Sequence, residues 1–152
     1  MLFLVQIMSE LARNNIMDIE NAMKGLDCYD EGGDEICRIK HYHTPGLYGR
    51  EMWMPVGCLI TGKIHLTEHI CILSQGKVTV SDGIVSITYT APATILSKVG
   101  AKRAIYAHED SVWTNFHATE LTDPEKIEEV ITVNTFEELD ACIEDQSMKR
   151  IS

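Results

Sequence analysis

The segment from Gly57 to Gly76, GCLITGKIHLTEHICILSQG, constrains the fold of this chain more than any other. It places His65 and His69 between two short apolar runs. If the chain were extended between the two histidines, their rings would be about 13 Å apart, too far for one metal ion. We therefore expect Leu66-Thr67-Glu68 to be the loop of a β-hairpin, which turns both imidazoles towards a common space.

Short runs with a period of two fill the middle of the chain and predict β-strands. In the second of these strands Tyr48, Arg50, Met52 and Met54 share one face, and Ser81-Asp82-Gly83 predicts a later hairpin turn. Because no helical pattern separates the strands, an antiparallel sandwich or barrel is favoured over a parallel sheet. The predicted strands cover residues 38–43, 47–54, 58–60, 70–73, 76–80, 84–89, 94–96, 103–107 and 112–117.

Helical patterns flank the strands. Residues 3–24 have apolar residues at helical spacing, and Asn14-Asn15 predicts a break within that helix. Near the other end Thr122-Asp123-Pro124-Glu125 and Thr135-Phe136-Glu137-Glu138 are capping-box sequences that predict two short helices, packed outside the barrel or on a partner subunit.

We predict one domain overall. Its parts are a helical segment and loop (1–36), a β-barrel (37–120) and a helical tail (121–152). The opening residues MLFLVQIM lack a positively charged lead and a small-residue cleavage site, so we interpret them as a docking segment of the first helix rather than a signal peptide.

Charge and cysteine content exclude some classes of function. The chain has 152 residues and a formal net charge of −10, which argues against broad binding to nucleic acid or anionic membranes, because such binding needs Lys and Arg. The five cysteines form no CxxC pair, and Cys58 and Cys71 lie in apolar runs typical of core positions. We expect a reduced, cytoplasmic setting.

The central segment resembles the first cupin motif, G(X)5HXH(X)3,4E(X)6G. Gly57 and Gly76 match its glycines and His65 matches its second histidine, whereas Lys63 stands at the first histidine and His69 at the glutamate. The resemblance implies a mainly β fold, a cupin-like antiparallel barrel of the jelly-roll kind, and pairing of two barrels into a homodimer.

The second cupin motif, G(X)5PXG(X)2H(X)3N, is matched in part around Pro92 and Gly100, with Arg103 at the position of its histidine. The resemblance covers roughly residues 40–120. The stretches HTPGLYGRE, TGKIHLTEH and AKRAIYAHEDSVWT also resemble small uncharacterised cupins carried by phage and prophage genomes, which would place the protein in the host cytoplasm.

His65 and His69 are candidate ligands of one divalent metal ion (Fe, Mn, Ni or Zn), because neutral imidazole suits such ions. The alternative is a pair of histidines that line the barrel mouth without metal. A third ligand has to come from elsewhere, and His117 is the most attractive because it ends the last strand. The other candidates are His41, His43 and Glu68.

Lys63 and Arg103 carry positive charge at two positions where the cupin motifs have metal-binding histidines, which points to an anion pocket. Arg103, Lys63 and Arg50, with Lys102, are expected to gather at the mouth, where a guanidinium grips a carboxylate or phosphate with two hydrogen bonds. The alternative is a structural pair between Arg103 and a carboxylate such as Glu51.

Four aromatic residues either line a ligand cavity or belong to the core: Tyr48, Trp53, Tyr106 and Trp113.

Three functions follow from these patterns. The first is a small cupin-like barrel that binds a small polar or anionic ligand, with a divalent metal at His65 and His69. The second is a metal-dependent cupin enzyme, such as a dioxygenase, isomerase or lyase, in which Arg103 or Tyr48 orients the substrate. The third is a non-catalytic structural or regulatory homodimer, phage-encoded and acting on a host component. No Ser-His-Asp order, P-loop or zinc-ribbon spacing identifies a catalytic residue.

Overall fold

The structure, a computed structural model, describes residues 2–27, 29–30 and 36–151. In this part of the chain three helices and eleven strands follow one another. They are α1 (Leu2–Lys24), β1 (Arg38–Thr44), β2 (Leu47–Met54), β3 (Leu59–Thr61), β4 (Ile64–His65), β5 (His69–Gln75), β6 (Lys77–Ser81), β7 (Ser86–Thr90), β8 (Ala93–Ser97), β9 (Ala104–Ala107), β10 (Ser111–Ala118), α2 (Pro124–Ile131), β11 (Thr132–Val133) and α3 (Phe136–Ile151).

Two antiparallel sheets enclose the main core. One has five strands in the order β1-β2-β10-β5-β8, and the other has four in the order β3-β9-β6-β7. Leu73 and Trp113 from the first sheet pack with Val78 and Ala107 from the second. Apolar burial from both sheets is the main stabilising term of such a sandwich. The mainly β, jelly-roll architecture predicted from the sequence is confirmed.

Alternation along β2 decides which of its side chains reach the interior. Tyr48, Met52 and Met54 are buried and Arg50 is half-buried, as expected for residues that share one face of a strand. The hairpin predicted at Ser81-Asp82-Gly83 is confirmed, because β6 and β7 pair from Lys77↔Thr90 to Ser81↔Ser86.

The hairpin predicted at Leu66-Thr67-Glu68 is wrong. β4 pairs with β11 instead of β5, and the chain bends at Leu66 and Thr67 as it passes to the five-stranded sheet. Leu66 N–H donates to the Ile131 carbonyl at 2.8 Å. The C-terminal segment therefore takes the hydrogen bonds that a hairpin would have used.

The break predicted in the first helix is also wrong, since α1 is continuous. The Asn15 side chain donates to the Gly83 carbonyl at 2.7 Å, and Ile16 is only 1% exposed. These residues dock the helix on the β6–β7 turn, and tertiary packing overrides their weak helix propensity. Leu4, Val5 and Met8 nearer the start of α1 are exposed, so their docking role stays a prediction.

The two C-terminal helices begin near the predicted positions. Asp123, not Thr122, caps α2 by accepting from Glu125 N–H, and Pro124 occupies the first helical position. At α3 the capping box is confirmed, because Thr135 Oγ1 accepts from Glu138 N–H while Glu138 Oε2 accepts from Thr135 N–H. None of the described helices has the length and apolar character needed to cross a membrane.

The C-terminal segment closes one end of the barrel, which we call the mouth. Ile127 and Ile131 of α2 pack against Tyr48 in a small buried cluster. Directly after α2, Thr132 pairs with His65 and Val133 with Ile64. Residues 124–133, here called the cap, thus lie over the barrel end towards which Tyr48 points.

Candidate metal centre

Three imidazoles meet beneath the cap. The ring centroids of His65 and His69 are 4.2 Å apart, those of His69 and His117 are 4.4 Å apart, and those of His65 and His117 are 5.4 Å apart. Their ligand-capable nitrogen atoms all lie within 4.8 Å of one another. The structure therefore brings together the two histidines of the central segment and the third candidate at the end of β10.

Three different strands position these rings. His65 ends β4, His69 begins β5, and His117 lies near the end of β10. Because Phe116 pairs with Ile70 across β10 and β5, the residues one step along each strand point to the opposite face, into the barrel. His69 and His117 are consequently buried, and His65 is half-buried.

The surroundings of the rings keep them uncharged near neutral pH. Burial lowers the pKa of His65 to about 3, with further contributions from His69 and His117. Burial lowers the pKa of His117 to about 4 and also lowers the pKa of His69. Neutral imidazole is the form that binds a metal ion.

Hydrogen bonding fixes one tautomer and leaves two nitrogens unpaired. His69 Nδ1–H donates to the Thr67 carbonyl oxygen at 3.2 Å, so its Nε2 keeps the lone pair. Nδ1 of His65 and Nδ1 of His117 are buried without a hydrogen-bond partner among the described residues. Such atoms cost about 1–3 kcal/mol each, and a metal–nitrogen bond would satisfy a ring lone pair. The three residues therefore fit one divalent metal ion.

The other candidates for a third ligand lie apart from this group. His41 Nδ1 forms a hydrogen bond of 2.7 Å with the Tyr48 hydroxyl, and the His43 ring lies 5.1 Å from that of Tyr48. Glu68 is exposed and pairs with Lys98 at 2.8 Å.

Tyr48 links these histidines to the three-histidine cluster. Its ring lies 6.5 Å from that of His117, and burial raises the pKa of its hydroxyl. Five of the six histidines in the chain therefore lie at this barrel end, whereas the sixth, His108, bonds to Thr79 at 2.7 Å.

Of the four cations expected at the mouth, two lie beside the cluster. Arg103 lowers the pKa of His65 and His69 and opposes the effect of burial, which raises the pKa of the Cys71 thiol. Arg50 points inward from β2 and also lowers the pKa of His65.

The remaining two cations pair elsewhere. Lys63 is half exposed and pairs with Glu128 on the cap. Lys102 is buried against Glu20 of α1 and donates to the Gly62 carbonyl at 2.7 Å. The suggested pair between Arg103 and Glu51 is wrong, because Glu51 is on the outer face of β2 and accepts from the Tyr42 hydroxyl at 3.2 Å.

The aromatic residues divide between core and surface. Tyr48 and Trp113 are each 3% exposed, whereas Tyr106 is 41% exposed and Trp53 lies under the Arg38 guanidinium.

Asn115 is a residue near the site that the sequence analysis missed. It pairs with Cys71 on β5 and with Arg50 on β2, in the inward-facing row next to the histidines. Its position two residues before His117 on the same strand face was the available signal.

No protein-family model matches the chain, and no curated protein matches it. Several solved structures do. KdgF from Halomonas sp. is 17% identical with a TM-score of 0.51, covering 67% of this chain and 94% of that one. An HTH_3 family transcriptional regulator from Vibrio cholerae is 14% identical with a TM-score of 0.50, covering 59% and 55%.

A cupin-2 domain containing protein from Shewanella frigidimarina NCIMB 400 is 12% identical with a TM-score of 0.45, covering 55% of this chain and 79% of that one. Identities this low concern the fold alone. The jelly-roll arrangement of two antiparallel sheets, together with the likeness to KdgF at a TM-score of 0.51, gives the chain a cupin-like fold.

Proposed function

We propose that the chain is a cupin-type barrel that holds one divalent metal ion with His65, His69 and His117 and binds a small anionic ligand beside it. The observation that carries this proposal is the meeting of three neutral imidazoles within 4.8 Å. Two of them have buried Nδ1 atoms without hydrogen-bond partners in the described part of the chain. An all-imidazole set suits Fe, Ni or Zn, and Mn is the remaining candidate.

Charge supports an anionic ligand. Three neutral ligands would leave both positive charges of a divalent ion uncompensated, and Arg103 and Arg50 add two more at the same barrel end. A carboxylate or phosphate would offset this charge and accept paired hydrogen bonds from a guanidinium. The chain as a whole carries a formal charge of −10, so the positive site would be a local feature within an acidic molecule.

The second candidate is a metal-dependent enzyme, such as a dioxygenase, isomerase or lyase. The observation that favours it is the number of ligands: three protein ligands leave coordination positions open, as in catalytic sites. A bound ion would act there as a Lewis acid on a substrate oxygen. Arg103 would orient the substrate, the Tyr48 hydroxyl with His41 would hold a proton, and the cap would exclude water.

Metal analysis of protein purified without a chelating tag tests the first part of the proposal. We expect near-stoichiometric Fe, Mn, Ni or Zn, and loss of that metal in His65→Ala, His69→Ala and His117→Ala. The control is His108→Ala, which removes a histidine bonded to Thr79 outside the cluster. A folded, metal-free protein that takes up none of the four ions on titration would contradict the proposal.

Thermal unfolding with small carboxylates and phosphate tests the anion site. We expect these anions to raise the melting temperature of the unmutated protein and to lose most of that effect in Arg103→Ala. Lys98→Ala is the matched control, since Lys98 is an exposed cation paired with Glu68. The anion site is disproved if no anion shifts the melting curve of the unmutated protein.

The third function, a non-catalytic homodimer, stays a prediction, as do its phage origin and cytoplasmic location. If the protein is such a homodimer, substitutions in the histidine cluster should leave both dimer formation and binding of the host component unchanged. Loss of that binding in His117→Ala, with an unchanged oligomeric state, would exclude this function.

A further inference from the structure

Two cysteines outside the histidine cluster bring their sulfur atoms together. Cys37 Sγ and Cys58 Sγ are 3.6 Å apart. Cys37 is 1% exposed, and Cys58 is half-buried and packs against the main core. A disulfide bond needs a sulfur–sulfur distance of about 2.05 Å, so a side-chain adjustment of about 1.5 Å separates this contact from a covalent bond.

The pair lies between the two sheets. Cys37 immediately precedes β1 of the five-stranded sheet, and Cys58 immediately precedes β3 of the four-stranded sheet. The backbone at Cys58 is held on both sides, because its N–H donates to the Pro55 carbonyl and its carbonyl accepts from Ala107 N–H. The Cys58 sulfur is therefore carried by backbone that the barrel keeps in place, and the Cys37 sulfur is enclosed by the main core.

We propose that Cys37 and Cys58 form a covalent redox site, a dithiol that closes into a disulfide between the two sheets when it meets a low-molecular-weight disulfide such as oxidised glutathione. Neither sulfur takes part in the metal or anion site, so this inference stands apart from the proposed function.

Exposure and electrostatics indicate which of the two cysteines attacks the glutathione disulfide and which one resolves the mixed disulfide. The hydrogen bond between the two sulfurs lowers the pKa of Cys58 to about 7, against the opposing effect of burial. The same contact, with burial, raises the pKa of Cys37. Cys58 therefore has the lower thiol pKa of the two and is the more accessible sulfur, which are the properties of an attacking cysteine.

The chemistry balances in two steps. The Cys58 thiolate attacks one sulfur of oxidised glutathione, breaks its S–S bond and expels one glutathione thiolate, which leaves a mixed disulfide on Cys58. Cys37 then attacks the Cys58 sulfur and expels the second glutathione thiolate, which takes up the Cys37 proton. The protein dithiol gives up two electrons, and glutathione disulfide is reduced to two thiols.

Closure of this bond would join the ends of the segment that contains β1 and β2. A cross-link of this kind lowers the entropy of the unfolded chain and stabilises the folded one. The oxidised form is therefore expected to melt at a higher temperature than the reduced form.

The test uses the full chain equilibrated in glutathione buffers of increasing oxidised fraction, followed by alkylation of free thiols and peptide mass spectrometry. We expect one intramolecular Cys37–Cys58 bond, reversible by dithiothreitol, together with a raised melting temperature. Cys37→Ser is expected to trap glutathione on Cys58, because the resolving sulfur is absent.

Cys142→Ser is the matched control and is expected to leave the bond intact. If Cys37→Ser does not fold, Cys37→Ala gives the same trapping test. Either of two results on the unmutated chain overturns the proposal: both thiols remain free in excess oxidised glutathione, or the bond formed involves another cysteine such as Cys28.

Discussion

Gly57 and Gly76 have the same left-handed backbone conformation but different surroundings. Comparing them separates the cost of backbone strain from the cost of a steric clash. Their φ angles are 82° and 85°. A Cβ on Gly57 would meet no atom within 4 Å, whereas one on Gly76 would lie 2.5 Å from the Asp110 carbonyl oxygen and 2.8 Å from Ser111 Cα. Both glycines belong to the cupin-like motif, but only Gly76 is enclosed by backbone.

We predict that Gly57→Ala lowers the free energy of unfolding by about 1–2 kcal/mol, the cost of a left-handed conformation. Gly76→Ala is expected to cost a further ~1–3 kcal/mol, because fixed backbone atoms have to move. Urea unfolding of both variants measures the difference. Equal losses would show that the β5–β6 turn relaxes around the added methyl group.

The buried pair of Lys102 and Glu20 ties α1 to the barrel. The Lys102 side chain is 5% exposed and that of Glu20 is 15% exposed. We predict that Lys102→Met lowers the free energy of unfolding by about 3 kcal/mol at neutral pH, because it leaves a largely buried carboxylate. Glu20 keeps a second partner, Lys24 at 3.0 Å, which limits the loss. Urea unfolding of the two proteins measures it.

The same pair predicts a pH dependence. Burial raises the pKa of Glu20, but hydrogen bonds from Lys102 and Lys24 outweigh it, so the net pKa is lowered. The stabilisation is therefore complete above the unfolded pKa of about 4.3 and is lost as pH falls through the lower folded pKa. The difference in unfolding free energy between Lys102→Met and the unmutated chain should therefore become smaller in acid. Lys98→Met, in an exposed pair with Glu68, should differ little from the unmutated chain at either pH.

Residue spacing alone predicted part of the candidate site. The short interval between His65 and His69 required a change of chain direction for the rings to meet. The inward direction of His117 depended on strand register, which the sequence does not specify without knowing the neighbours of β10. The same limit explains why Lys63 was grouped with Arg103: its partner, Glu128, lies far along the chain on α2.

At the scale of elements, the cap is the structure that encloses the candidate site. Ile127 is fully buried on α2, whereas Val130 on the same helix is 60% exposed. We predict that Ile127→Ala costs about 2–5 kcal/mol of unfolding free energy and that Val130→Ala costs about 0.5 kcal/mol or less. Chemical denaturation measures both.

The cap also adjoins the metal centre through the pairing of Thr132 with His65. If the proposed metal site is correct, Ile127→Ala should release metal faster to a chelator than Val130→Ala. Equal release rates from both variants would mean that the cap does not control access to the histidines.

Long strands and capped helices were predictable because their signals are local. The alternation of β2 and the capping box of α3 can be read within a few residues. β4 and β11 have two residues each, too few for a period, and they pair across a long stretch of chain. The continuity of α1 through Asn15 likewise depends on a distant hydrogen bond to Gly83.

On the scale of the whole molecule, exposed apolar side chains lie on the outer face of the five-stranded sheet. Leu96 is 67% exposed and Ile70 is 43% exposed. They are paired neighbours across β8 and β5, and Phe116 pairs with Ile70 from the other side. β8 is also an edge strand. Contiguous apolar surface of this kind is typical of interfaces.

We predict that a second copy of the chain covers this face, in line with the homodimer expected from the cupin resemblance. Leu96→Lys should convert the dimer to a monomer in sedimentation equilibrium, whereas Val56→Lys, at a 63% exposed position near the β2–β3 turn, should not.

The same dimer should respond to salt. Each copy carries a formal charge of −10, so the two copies repel each other, and added salt screens that repulsion. The unmutated dimer should therefore tighten as salt rises. A chain that is monomeric at every concentration and salt level rules this interface out, and a dimer that Leu96→Lys leaves intact places the contact on another surface.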